Sequence, residues 1–248
     1  MVEIQRILAP NPGPMTLDGT NTYVIGGEIV VDPGPADAEH VERLVDLAPR
    51  LILVTHKHTD HTESARELAR STGAVLRGLD PDECHGGSPL VDGEWIPVGD
   101  AELQILATPG HTHDSVSIVV PDRAVLTGDT ILGRGTTVIM HPDGAIAPYL
   151  ASLDKLEELG DLEVLPGHGD PLPSVAAIAR QYRAHRLERL EQVRQALRDL
   201  GASAAEATVG DVVDLVYADL ADDVRFAAEA STAAQLSYLA EADAPPRD

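Results

Sequence analysis

The stretch Leu51-Ile52-Leu53-Val54-Thr55-His56-Lys57-His58-Thr59-Asp60-His61 (residues 51–61) passes directly from four apolar residues to a cluster of histidines and an aspartate. An uninterrupted apolar run is typical of a strand that is buried on both faces of a sheet. In the extended loop that follows, side chains two residues apart project to the same side, so His56 and His58 can bind one cation. Asp60 and His61 can face another, and imidazole and carboxylate groups are ligands that Zn²⁺ accepts. The stretch therefore predicts a metal site at the end of a buried strand.

Three further candidate metal ligands follow strand-like runs later in the chain. They are His111 in Thr108-Pro109-Gly110-His111-Thr112, Asp129 in Thr127-Gly128-Asp129-Thr130, and His168 in Leu165-Pro166-Gly167-His168-Gly169-Asp170. Taken singly, each is more typical of a turn residue, because Gly, Pro and Asp dominate turns. Together with the first cluster they make seven ligand-type side chains at strand ends. Two neighbouring metal ions need such a set when each keeps a position open for water.

Short β-rich runs alternate with helical runs from residue 20 to about residue 170, which is typical of an α/β protein. The runs 22–25 and 29–31 predict a hairpin through Gly26-Gly27, and Thr62 is the predicted N-cap of a helix over 62–72.

From Ser174 onward no strand-like run occurs, and apolar residues recur at helical spacing. We therefore predict two domains, residues 1–174 and a helical module over residues 175–248. Within the module we predict helices over 178–200, 208–220 and 222–241, followed by a frayed tail over 245–248.

Composition limits the function classes. The 248 residues carry 18 Lys and Arg against 41 Asp and Glu, a formal net charge of −23, so the surface repels polyanions and DNA binding is disfavoured. One cysteine, Cys84, excludes an internal disulfide framework. The first residues lack the basic and then apolar layout of a signal peptide, and no apolar run approaches the roughly 18 residues of a membrane span. We therefore expect a cytoplasmic protein that does not bind membranes.

The predicted helix after residue 178 is locally basic, with six arginines against two glutamates over residues 180–198. Two interpretations remain open. The arginines could form a solvated face with ion pairs along the helix, or a patch for an anionic substrate or partner.

The ordered motifs of residues 10–170 resemble the metallo-β-lactamase superfamily, because all five of its metal motifs are present. The stretches 11–23 and 128–139 resemble the β-lactamase-like-protein-2 subgroup. The resemblance implies a four-layer αβ/βα sandwich with a C-terminal, winged-helix-like module. It implies His56, His58 and His111 as ligands of the first metal, Asp60, His61 and His168 as ligands of the second, and Asp129 as the bridging ligand. Asp32 matches an aspartate that supports the metal-binding loop in the family.

The hypothesis that follows is a binuclear zinc hydrolase whose metal-bridging hydroxide is the nucleophile, with iron or manganese as alternative metals. We expect Asp60 to orient or deprotonate the water and His141 to assist the leaving group. The resemblance implies a phosphodiester substrate, single-stranded RNA. Two alternatives remain open: a hydrolase of a small thioester or ester that resembles hydroxyacylglutathione hydrolases, and an iron-dependent persulfide dioxygenase. The sequence does not indicate an oligomeric state.

Overall fold

This computed structural model describes residues 2–218 and 225–243. These residues contain two β-sheets and seven α-helices, joined by loops and turns. The strands are β1 (Ile4–Leu8), β2 (Asn21–Ile25), β3 (Ile29–Val31), β4 (Leu51–Leu53), β5 (Val75–Arg77), β6 (Trp95–Val98), β7 (Ala101–Ala107), β8 (Val116–Val120), β9 (Ala124–Gly128) and β10 (Glu163–Pro166). The helices are α1 (Ala38–Asp46), α2 (Thr59–Thr62), α3 (Ala65–Thr72), α4 (Ile146–Glu157), α5 (Val175–Leu200), α6 (Val209–Val216) and α7 (Arg225–Ala242).

Both sheets are mixed. The first has the order β1-β2-β3-β4-β5, with antiparallel pairs at β1/β2 and β2/β3 and parallel pairs at β3/β4 and β4/β5. The second has the order β10-β9-β8-β7-β6, in which only β10 and β9 are parallel. The predicted hairpin is confirmed as β2 and β3. Because parallel neighbours point the same way, the loops after β4 and β5, and those after β9 and β10, leave from the same ends of their sheets.

One hydrophobic core lies between the two sheets, and strand alternation explains which residues enter it. On β2, Tyr23 and Ile25 point to the opposite sheet, whereas Val24 between them packs with the outer helices. Leu103 and Ile105 of β7 meet them from the second sheet. Burying such side chains is the dominant stabilising term in folding, at roughly 25 cal/mol per Å² of apolar surface.

A helical layer covers the outer face of each sheet. α1 and α3 bury Leu44 and Leu68 against the first sheet, and α4 buries Tyr149 and Leu153 against the second. The predicted four-layer αβ/βα sandwich is confirmed. The prediction of Thr62 as a helix N-cap is wrong, because Thr62 ends the short helix α2 and α3 begins after Ser64.

The described residues after residue 174 form mainly three helices, in agreement with the predicted helical module. Ser174 caps α5, its hydroxyl oxygen accepting from the backbone N–H of Ala177, and Gly201 ends that helix in the left-handed conformation. Residues 175–218 and 225–243 contain no strand, so the winged-helix likeness stays a prediction. Residues 219–224 and the predicted tail over 245–248 lie outside the described residues. None of the helices seen in the structure combines the length and apolar character that a membrane crossing requires.

Candidate metal centre

The loops after four strands bring the seven candidate ligands to one place. β4 is followed by His56 and His58, and α2, which begins immediately afterwards, carries Asp60 and His61. The loops after β7, β9 and β10 supply the others. The seven side chains that meet are His56, His58, Asp60, His61, His111, Asp129 and His168, and they form three overlapping groups of ligand atoms that each lie within 4.8 Å of one another.

One group consists of three histidines. Nδ1 of His58 lies 3.0 Å from Nε2 of His56 and 3.1 Å from Nε2 of His111. The rings of His56 and His111 are almost fully buried, whereas that of His58 is partly exposed. Three imidazole nitrogens therefore converge on one point near the protein surface, and these are the histidines that the resemblance assigns to a first metal.

A second group contains Asp60, His61 and His168. Nε2 of His168 lies 3.0 Å from Oδ2 of Asp60 and 3.2 Å from Nε2 of His61. Both rings are completely buried, and the Asp60 side chain is 28% exposed, so Asp60 is the member of the group that solvent or a substrate can reach.

Asp129 lies between the two groups. Its Oδ1 is 3.4 Å from Nε2 of His61, and its Oδ2 is 3.5 Å from Nε2 of His168 and 3.7 Å from Nε2 of His111. One carboxylate thus reaches histidines of both groups, which is the position that a bridging ligand needs.

Hydrogen bonds to the far nitrogen orient four of the five histidine rings. Nδ1 of His111 donates to the carbonyl oxygen of Val138 at 2.8 Å, and Nδ1 of His168 donates to that of Gly19 at 3.2 Å. Nδ1 of His56 lies 3.1 Å from the hydroxyl of Thr55. With Nδ1 as donor, Nε2 keeps a free lone pair for a cation.

Asp32 orients the fourth of these rings, that of His61, and the loop beside it. Its carboxylate accepts from Nδ1 of His61 at 2.9 Å, and from the backbone N–H and the hydroxyl of Thr55 at 2.7 Å each. Asp32 is 2% exposed and has a left-handed backbone (φ 51°), which Asp tolerates better than most residues. Asp32 thus contacts both Thr55, next to His56, and His61, in the loop to which the resemblance assigns it a supporting role.

These donor atoms fit divalent metal ions. Lone pairs on converging nitrogens repel each other unless a proton or a cation lies between them, and the anchoring of Nδ1 leaves Nε2 of His61 and His168 facing each other. Oδ1 of Asp129 is buried and accepts no hydrogen bond from any described residue. A buried carboxylate oxygen without a donor is costly, and a cation would satisfy it.

The charges of the site also suit a cation. Burial lowers the pKa of His56 and His111, so both rings are neutral and can ligate. For His168, burial opposes protonation, but Asp129 and Asp60 outweigh it and raise the pKa to about 9. The pKa of Asp129 is well below its usual range, because His168 and His61 outweigh the opposite effect of burial. A cation would take the place of the protons on these nitrogens.

Sequence reasoning missed several supporting residues. Thr55 directly precedes His56, and this adjacency was a usable signal. Thr137 contacts His111 from a loop 26 residues away, its hydroxyl 3.0 Å from Nδ1, and nothing local marks it. At the edge of the site, Nζ of Lys57 lies 2.8 Å from Oδ1 of Asp143, which also contacts His113.

The structure does not bring His141 into the centre. Its side chain is exposed in the turn before α4 and makes no hydrogen bond to the described residues. Its suggested role in assisting the leaving group therefore has no geometric support here.

An α/β sandwich with clustered histidine and aspartate at its strand ends is thus established. Residues 15–168 match the family model described as the metallo-beta-lactamase superfamily, and the chain belongs to that superfamily. The chain is 34% identical over 197 residues to the beta-lactamase-like protein 2 homolog of Caenorhabditis elegans, covering 72% of this chain and 65% of that protein. This similarity agrees with the resemblance of the sequence to the β-lactamase-like-protein-2 subgroup.

Two further similarities concern a fungal protein and a solved structure. The chain is 34% identical over 180 residues to an Aspergillus fumigatus protein named atrochrysone carboxyl ACP thioesterase, covering 67% of this chain and 56% of that protein. This chain therefore spans only 56–65% of the length of the two curated relatives. A metallo-beta-lactamase family protein from Thermus thermophilus shares the fold, with a TM-score of 0.79, 23% identity and coverage of 99% of this chain and 95% of the other.

Proposed function

We propose that this protein is a hydrolase that holds two zinc ions and cleaves small thioesters. The observation that carries the proposal is the convergence of seven ligand side chains into three overlapping groups, with the Asp129 carboxylate 3.4–3.7 Å from His61, His168 and His111. In this proposal the first ion is held by His56, His58 and His111, the second by Asp60, His61 and His168, and Asp129 contacts both. Iron and manganese remain alternative metals, since histidine and carboxylate ligands also suit them.

When bound, such ions supply Lewis-acid activation of water at neutral pH and polarise a carbonyl oxygen. The protein supplies the positioning. Asp60 is the partly exposed carboxylate of the site, and its own backbone carbonyl accepts from the hydroxyl of Thr20 at 3.0 Å, which fixes its place. We assign Asp60 the role of orienting the attacking water and accepting its proton.

Charge favours a thioester over single-stranded RNA. Binding a phosphate backbone requires clustered cations that are free to replace counterions. Arg180, Arg183 and Arg198, on the helix that the sequence marks as basic, instead pair with Glu157, Asp154 and Glu191. The similarity to the Aspergillus fumigatus protein named atrochrysone carboxyl ACP thioesterase supports the same choice.

We also propose that residues 1–174 form the catalytic domain and residues 175–248 the helical module. Every candidate ligand precedes residue 174, and Ser174 caps the first helix of the module. That helix packs on α4, so the module is positioned to contribute to the walls of the site.

One purified sample decides between the candidate functions. Metal analysis is combined with assays of thioester, single-stranded RNA, β-lactam and persulfide turnover. We expect two zinc ions per chain and thioester hydrolysis that disappears in Asp129→Ala. RNA cleavage without thioester turnover would replace the proposal with the phosphodiesterase hypothesis. A single iron with oxygen consumption on a persulfide would replace it with the dioxygenase hypothesis.

A further inference from the structure

A cavity of about 220 Å³ lies beside the metal centre, between the loop over 136–138 and helices α5 and α7. We call it the arginine cavity. The residues of its lining that matter here are Thr137, His185, Arg186, Arg189 and Tyr217. Thr137 connects the cavity with the metal centre, because its hydroxyl contacts His111 while its carbonyl oxygen accepts from Arg186.

Arg186 is an unusual component of such a lining. The residue is 4% exposed, and its Nε makes no hydrogen bond within the described part of the chain. Its guanidinium lies 5.3 Å from the ring centroid of Tyr149, and no carboxylate of the described residues comes within 4.0 Å of it. A buried cation is costly unless it is paired, and none of the described residues supplies a carboxylate here, so an anion bound in the cavity would stabilise Arg186.

The other polar groups of the cavity point to the same kind of ligand. Arg189 donates to Gln192 and lies 5.0 Å from the ring centroid of Tyr217, again with no ion-pair partner among residues 2–218 and 225–243. Nδ1 of His185 is buried without a hydrogen-bond partner in the same part of the chain. Burial and the two nearby arginines lower the pKa of His185, so the ring is neutral and can donate one N–H to a ligand.

The contrast within α5 shows that this arrangement is specific. Arg180 and Arg183 pair with Glu157 and Asp154 of α4, and Arg194 and Arg198 pair with Glu191 of their own helix. Arg186 and Arg189 line the arginine cavity instead. The two interpretations of the basic helix thus apply to different arginines: four form ion pairs, and two line the cavity with no carboxylate partner among the described residues.

We propose that the arginine cavity binds a small oxyanion, a carboxylate or a phosphate group, through Arg186 and Arg189. Guanidinium groups match the planar geometry of such anions and form charge-assisted hydrogen bonds with them. The anion is either the distant end of the substrate or a free ion. The proposal of binding does not depend on the proposed hydrolase activity; only the assignment of the anion to the substrate does.

The test is a titration of the full-length, metal-loaded protein with inorganic phosphate in chloride-free buffer. The guanidinium Nε–H signals of Arg186 and Arg189 are followed by NMR, which separates this cavity from phosphate bound at the metal centre. We expect saturable shifts of both signals. Arg189→Gln should weaken the affinity measured at Arg186 about ten-fold, because a charge-assisted hydrogen bond is lost.

Arg194→Gln is the matched control, since it removes an exposed, paired arginine from the same helix. Arg194→Gln should leave the phosphate affinity of the arginine cavity unchanged. Arg189→Lys keeps the charge, so its phosphate affinity should fall between those of Arg189→Gln and Arg194→Gln. Absence of saturable shifts, or equal affinity in Arg189→Gln and Arg194→Gln, would overturn the proposal. Melting curves of each variant exclude loss of folding as the cause.

The source of the anion follows from kinetics with two matched thioesters, one with a carboxylate at its distant end and one without. If the anion belongs to the substrate, Arg189→Gln raises KM about ten-fold for the charged thioester alone. If KM for both is unchanged while phosphate binding is weakened, the cavity binds a free anion. Failure of both thioesters to react would contradict the proposed function and leave the phosphate titration intact.

Discussion

Oδ2 of Asp32 lies 2.9 Å from Nδ1 of His61, and this buried contact determines which nitrogen of His61 faces the candidate metal centre. The carboxylate only accepts, so Nδ1 of His61 donates to it, and Nε2 is the nitrogen that faces His168 and Asp129. The same carboxylate holds Thr55, which in turn contacts His56. Asp32 therefore orients His61 of one group directly and His56 of the other group through Thr55.

Asp32→Asn should weaken metal binding without breaking the fold. The amide can satisfy fewer of the three donors that Asp32 serves, and asparagine still tolerates the left-handed backbone at this position. Loss of such a supporting contact typically costs about 10–100-fold in metal affinity. The zinc affinity of the variant and of the wild type is measured by competition with a chromophoric zinc chelator.

Asp46→Asn is the control for that experiment. Asp46 is an exposed residue at the end of α1, and we expect wild-type affinity from its variant. Equal affinities for the two variants would mean that Asp32 does not control the ligands.

Asp129→Ala should remove more metal than any other single ligand substitution. Its carboxylate is the one that reaches His61, His168 and His111, so its loss affects both groups. We expect metal content to fall below one ion per chain and activity to vanish. His85→Ala, which changes an exposed histidine away from the cluster, should retain both. Retention of full metal content by Asp129→Ala would rule out its position as a shared ligand.

Gly167→Ala tests how closely the backbone packs beneath the ligands. A Cβ at this glycine would lie 2.6 Å from Oδ1 of Asp129 and 2.7 Å from Cε1 of His61, so both side chains must shift. We expect destabilisation of about 1–3 kcal/mol in urea unfolding, together with weaker metal binding. Gly210→Ala has open space around its Cβ and should be neutral or slightly stabilising. Similar results at the two positions would contradict the packing argument.

The sequence predicted the parts of the site that depend on local chemistry or on strand ends. His56 and His58 could be paired because alternate residues of an extended loop share a side, and His111, Asp129 and His168 each follow a strand. Strand ends gather at one edge whenever the sheets form, so their convergence did not require a known loop geometry.

The rest of the site depends on loop conformations that no local pattern specifies. Thr137 reaches His111 because the loop over 136–138 returns over the loop after β7. Arg186 of α5 points inward because its guanidinium donates to the carbonyl oxygen of Thr137 in the 136–138 loop. The error at Thr62 has a similar origin. The short helix α2, which carries Asp60 and His61, extends to Thr62, so α3 begins only at Ala65.

Stability should fall with acid partly through His40, which is buried beneath the loop that carries Asp32. Nε2 of His40 donates to the carbonyl oxygen of Pro33 at 3.1 Å, and Nδ1 has no partner among the described residues. Burial lowers the pKa of His40 in the folded protein. The unfolded chain, with a pKa near 6.5, therefore binds more protons, and the free energy of unfolding decreases as the pH falls through that value.

His40→Gln should remove this part of the pH dependence. Urea midpoints at about pH 7.5 and about pH 5.5 measure it, with a chelator present in every sample so that metal release does not contribute. We expect the midpoint of the wild-type protein to fall more between the two pH values than that of His40→Gln. His85→Gln, at an exposed position, should keep the wild-type difference. If His40→Gln and the wild type show the same pH dependence, the buried ring does not resist protonation. An imidazole lowers stability in acid only when folding penalises its charged form.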